Sequence, residues 1–193
     1  MNRKLAAIIA AALVPGTAFA HVGVGSTASF AAGVAHPLGG LDHMTVMVAV
    51  GLWAALKGGR ALWLWPAAFV TMMLAGGALG MAHVPVPFVE PGILASVVAL
   101  GLMVALAVDL PVWLGAAVTG VFALLHGHAH GSEVLETIGG VEYMVGFAVS
   151  TACLHLAGIG AALGLARVHM RGVVRAAGAA CVLSGVGVAA GVL

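Results

Sequence analysis

Nine histidines and six acidic residues are distributed unevenly along the 193-residue sequence. One group is His36 with Asp42-His43; another is His126-Gly127-His128-Ala129-His130 followed by Glu133. Imidazole and carboxylate without thiolate make a donor set for nickel, cobalt, zinc, copper(II) or iron(II), and argue against copper(I). His126 and His130 stand four residues apart with Glu133 three further on, so one helical stripe would carry all three and present two imidazoles to a single ion. His128 would face elsewhere, toward another element. His36 and His43 are seven residues apart, about 10.5 Å along a regular helix axis. Two donors on one ion are at most about 4 Å apart, since metal–nitrogen bonds are near 2.1 Å. Either Gly39-Gly40 breaks the helix, or the two histidines serve successive positions on a path. The ordinary alternative for the first group is a capped helix start, with Pro37 at its first position and His36 as the cap. Three alternating histidines flanked by glycine in an apolar chain have no comparably ordinary explanation.

The elements that must position these groups follow from composition. Hydrophobic residues make up 63% and charged residues 7%, and mean hydropathy is +1.19, whereas a soluble domain is about a quarter charged. Such a chain needs lipid as its solvent, and a formal charge of +1 gives no footing for nucleic acid. Cys153 and Cys181 lie singly in apolar runs, which excludes a disulfide framework or a zinc-finger spacing. Arg3-Lys4, the apolar stretch Leu5 to Val14 and Ala18-Phe19-Ala20 have the order of a cleavable signal peptide over residues 1–20. Its apolar stretch of about ten residues is too short to cross about 30 Å of hydrocarbon. Cleavage after Ala20 would leave His21 as the mature N-terminus, on the outer side.

The remainder, residues 21–193, reads as an all-α bundle of six membrane spans. The apolar runs are Ala35 to Leu56, Ala61 to Ala82, Ile93 to Leu110, Val112 to His130, Val141 to Ala166 and Gly172 to Leu193. Lys57 and Arg60 share one break, and Arg167, Arg171 and Arg175 lie in or beside another. Both breaks are therefore expected in the cytoplasm, with both mature termini periplasmic and the bilayer a bacterial inner membrane. On this topology His36, Asp42, His43, His83, Glu90, His126, His128, His130, Glu133, Glu136 and Glu142 fall in the outer half. His155 alone lies mid-span, as a relay ligand or as a histidine hydrogen-bonded to a neighbouring helix. Asp109 and His169 fall at inner ends. A central Asp costs about 2.5 to 3.5 kcal/mol on insertion scales, so clustered ionisable groups mark a site. The methionines read as gap fillers of helix packing, and His21 as a bare terminus.

At these residues the sequence resembles the HupE/UreJ family of bacterial nickel permeases. The resemblance is carried by His36-x-x-x-x-x-Asp42-His43 and by Phe122-Ala-Leu-Leu-His126-Gly-His128-Ala-His130-Gly-Ser-Glu133, and it extends over the whole chain. It implies uptake of nickel or cobalt for hydrogenase or urease maturation, no prosthetic group, and delivery to cytoplasmic nickel metallochaperones. The metal-handling residues it implies are the histidines, Asp42 and Glu133, with Glu90 carried over less firmly. Since no GxxxxGK[ST] loop is present, the chain is not expected to hydrolyse ATP or to be an enzyme. A competing class is a membrane-embedded zinc-dependent hydrolase, with Glu133 or Asp42 as general base. Against it stands the lack of a recognisable nucleophile, since Ser132 and Ser150 sit in no partner pattern.

Overall fold

A computed structural model describes residues 29–134 and 139–192, so the expected signal peptide, His21 and Glu136 lie outside the described residues. Among the described residues every regular element is a helix. They are α1 (Phe30–Gly39), α2 (Leu41–Lys57), α3 (Ala61–Met81), α4 (Val89–Ala105), α5 (Val112–Glu133), α6 (Gly140–Arg167) and α7 (Arg171–Ala189). Four of these, α3, α5, α6 and α7, are long and apolar enough to cross a membrane; α1 and α2 together meet the same test but are bent by 84°. The 17-residue α4 is shorter than the other four.

The start of the chain's first span differs from expectation. Pro37 does not open a helix: it lies in the last turn of α1, which starts seven residues earlier behind Ser29. The Ser29 hydroxyl accepts the Ala32 amide at 3.1 Å and so caps that start. The chain then breaks at Gly40, which is extended with φ −105° and ψ 121°. The third apolar run is also shifted. Its helix begins at Val89 and stops at Ala105, because Ala107 takes a left-handed conformation, φ 51°, ahead of Pro111.

Packing is set by glycine. A side chain at Gly76 would run into the Leu124 carbonyl, one at Gly80 into that of His128, one at Gly127 into that of Met73, and one at Gly131 into that of Gly77. The backbones of α3 and α5 thus touch over two turns, and the matched positions ascend together, so these helices are parallel. Helix α6 lies likewise against α1 and α2, with Gly146 at the Phe30 carbonyl, Gly51 at that of His155 and Gly158 at that of Val48. Met47 meets Thr151 while Gly51 meets His155, so α2 and α6 also run parallel. Helix α4 is antiparallel to α7, with Gly101 beside Gly178 and Val182, and Gly185 beside Val97. Because α3 and α5 point the same way, α4 has to carry the chain back along the full length of the bundle between them.

The end of the bundle where α2, α4 and α6 finish holds all the described lysine and arginine. There Lys57 pairs with Asp109, and Arg175 donates to the Ala105 carbonyl at 2.8 Å. The indoles of Trp53 and Trp65 stack 4.2 Å apart and donate to the carbonyls of Val108 and Val112. These bonds close the interior at that end.

Candidate metal-binding centre

The elbow at Gly40 resolves the spacing between the first two histidines. Turning by 84°, the chain folds His36 back over the start of α2, and the two rings come to 6.0 Å, far closer than a straight helix allows. A Cβ at Gly40 would lie 2.8 Å from Asp42 Oδ1 and 3.1 Å from His43 Nδ1, so both side chains would have to shift. From the other side α5 brings His126 and His130 on one stripe, as their four-residue spacing predicts. His130 lies 4.5 Å ring to ring from both His36 and His43, and His126 lies 5.1 Å from His43. Donor atoms of His36, His130 and Glu133 all fall within 4.8 Å of one another. Four imidazoles from three helices therefore share one volume.

Each end of this cluster carries a carboxylate. Asp42 Oδ1 accepts from His43 Nδ1 at 2.9 Å, and Glu133 Oε2 lies 3.5 Å from His130 Nδ1. The carboxylate on His43 Nδ1 fixes that ring's tautomer and leaves its lone pair on Nε2, whereas His130 Nδ1 makes no hydrogen bond. The Nε2 atoms of His43 and His130 point at each other, 2.5 Å apart. With no partner holding the hydrogen on Nδ1 of His130, its Nε2–H donates to the His43 Nε2 lone pair, and a cation entering the cluster would take the place of that hydrogen. His126 is oriented differently. The Ser96 hydroxyl has one hydrogen, given to the Ile93 carbonyl at 2.5 Å, so it accepts Nε2–H from His126 at 2.8 Å. Nδ1 of His126, buried without a partner, is left as the free donor.

A wall of aromatic rings from α6 closes the cluster. Phe147 lies 4.6 Å from His130 and 5.9 Å from His36, and Tyr143 lies 5.9 Å from His36. His43, His126 and His130 are buried, whereas His36 and Asp42 are half-buried and Glu133 is exposed. The cluster is thus dry at its base and open at its carboxylate rim.

The remaining sequence candidates lie apart from it. His128 faces the opposite side of α5, where its Nε2 meets the Val84 carbonyl at 2.8 Å. Glu90 is exposed in the first turn of α4. His155 is fully buried on α6, with neither ring nitrogen hydrogen-bonded and Phe69 5.0 Å away. Ser96, Tyr143 and Phe147 had no distinguishing mark in the sequence. The one available signal for the aromatic pair is the four-residue step from Tyr143 through Phe147 and Thr151 to His155, a buried stripe on α6.

Helices long and apolar enough to cross a membrane, packed through glycine around a dry nest of imidazoles with acids at its rim, mark the class of helical membrane proteins whose donors could hold a metal cation. The sequence matches the HupE / UreJ protein family over residues 9–188. It is 43% identical over 184 residues to Protein HupE of Rhizobium leguminosarum bv. viciae, covering 94% of this chain and 95% of that one. This chain belongs to the HupE/UreJ family. No solved structure matches it.

Proposed function

We propose that this protein is an inner-membrane permease that takes up nickel or cobalt, with His36, Asp42, His43, His126, His130 and Glu133 forming its outer binding station. The observation that carries the reading is the convergence of four imidazoles from α1, α2 and α5, with Asp42 hydrogen-bonded to His43 and Glu133 3.5 Å from His130. Nitrogen and oxygen donors suit a borderline divalent ion, and the family resemblance of both motifs selects nickel or cobalt within that group.

The helix directions support a reading of six spans. If α3 and α5 are parallel spans, α4 crosses between them despite its 17 residues, about 25 Å at 1.5 Å per residue; slight bilayer thinning accommodates that. Lys57, Arg60, Arg167, Arg171 and Arg175 then share one face, the cytoplasmic one. The imidazole cluster lies toward the other face, with both ends of the mature chain. The membrane potential suffices as driving force: at about 2.3 kcal/mol per charge per 100 mV, a divalent ion gains about 4.6 kcal/mol on entry. Outer groups replace the ion's waters, several modest sites in series pass it inward, and cytoplasmic metallochaperones receive it for hydrogenase or urease maturation. His128 and Glu90 stand outside the station, at the approach to it. No prosthetic group is required. The zinc-hydrolase reading gains no support, since the hydroxyl nearest the imidazoles, Ser96, spends its hydrogen on the Ile93 carbonyl.

Radiolabelled nickel uptake in a host lacking its own nickel transporters tests the proposal. His36→Ala, His43→Ala and His130→Ala should each reduce uptake by at least about tenfold, the usual scale for lost ligands or their partners. Uptake unchanged in all three would end it.

A further inference from the structure

Below the imidazole cluster the interior is not simply apolar. On α6, Thr151 and His155 continue the buried stripe that Tyr143 and Phe147 begin. The Thr151 hydroxyl lies 3.3 Å from Met47 Sδ and 3.6 Å from Met73 Sδ, so two thioethers from different helices converge on one point. Met47 is four residues after His43 on α2, one turn deeper than the outer station. His155 is one turn beyond Thr151, and its two ring nitrogens are buried with no hydrogen-bond partner. Phe69, one turn before Met73 on α3, stands between the levels, 6.2 Å from the His126 ring and 5.0 Å from that of His155. A filler methionine has no reason to aim its sulfur at a hydroxyl that a second sulfur already meets. A buried imidazole with both nitrogens idle forfeits hydrogen bonds that water would have supplied.

We infer that Met47, Met73, Thr151 and His155 form a second, mid-membrane cation station, which takes a soft or borderline d-block ion after it leaves the outer imidazoles. The inference rests on the permease reading and adds to it a basis for selectivity. Every donor at this level is neutral, and two are thioethers. Hard ions such as magnesium, calcium and manganese prefer carboxylate, carbonyl or water and gain nothing there, whereas imidazole suits nickel and thioether sulfur favours softer d-block ions. Neutral donors also hold a dication less firmly than the carboxylate-backed outer station, so the ion moves on instead of stalling.

Cobalt(II) is the probe, because its visible bands report donor type and geometry. The full-length purified protein in detergent should bind two cobalt ions per chain. His43→Ala should remove one ion, and His155→Ala the other, while Met47→Leu/Met73→Leu should abolish the sulfur-to-cobalt charge-transfer band. The same double substitution should lower nickel uptake tenfold or more with outer-station binding intact. Leucine conserves the methionine volume, and His155→Asn supplies a polar replacement of similar shape should His155→Ala fail to fold. A wild-type chain that transports nickel yet binds one cobalt ion, without a sulfur band and indifferent to Met47→Leu/Met73→Leu, overturns the second station. A wild-type chain that transports no nickel defeats the permease reading instead, and the cobalt count still decides on the inner site.

Discussion

The His126 ring can offer one nitrogen to a cation only while the other holds the hydrogen, and Ser96 decides which does. Its hydroxyl, committed to the Ile93 carbonyl, accepts from Nε2 and keeps Nδ1 free. Ser96→Ala should therefore weaken cobalt binding about 10- to 100-fold, the range seen for lost hydrogen-bond partners of metal-bound histidines, while Ser96→Thr restores it. Titration of the purified variants checks this, and unchanged affinity in Ser96→Ala would show that the serine merely fills space. Gly40→Ala makes the complementary case. Its methyl group would press on Asp42 and His43, so binding should weaken while the bundle's thermal stability stays near that of the parent. Residue types and spacing made the imidazoles and acids legible in the sequence, because such groups are costly in lipid and stand out there. Ser96, Met47, Met73 and Phe147 were not legible. They are ordinary membrane-helix residues whose role comes from what faces them across a helix boundary, and spacing along one helix carries no record of that. For the methionines the packing role expected from sequence describes where they sit, and their convergence on Thr151 adds what they do there.

Helix by helix, the apolar runs marked where segments lie but not how they touch. The seven-residue spacing of His36 and His43 required a break or a relay, and the geometry chose the break, since the extended Gly40 lets α1 fold back. The expected proline-led start of that span failed because Ser29 caps a helix further upstream, and Pro37 is tolerated in its last turn. Glycine in a membrane helix permits close approach, but spacing along one helix does not name the partner. The partners follow from the backbone contacts of Gly76, Gly80, Gly127 and Gly131. Gly127→Ala would drive a methyl group into the Met73 carbonyl and pry α3 from α5. Overpacking of this kind costs about 1 to 3 kcal/mol and occasionally more, so the melting temperature in detergent should drop, and the displaced His126 should bind cobalt less well. A melting curve unaltered by Gly127→Ala would mean that the two helices are not in backbone contact.

Across the whole molecule, helix direction and charge make one checkable statement about orientation. Alkaline phosphatase fused after Ala189 should be active, being exported, whereas a fusion at Gly58 should be inactive and a cytoplasmic reporter there should work instead. The reverse pattern would turn the imidazole cluster toward the cytoplasm and recast the protein as an exporter. The seams between parallel helices bear on how an ion can pass at all. Where main chains already touch at Gly76, Gly127, Gly51 and Gly158, two halves cannot slide or tilt against each other without colliding or parting. The bundle therefore behaves as a stiff frame, α1 included since Gly146 meets the Phe30 carbonyl, and what moves within it has to be small: imidazoles and thioethers changing rotamer. Passage would then resemble handing a bead from finger to finger inside a rigid sleeve, at a rate set by how quickly single side chains turn.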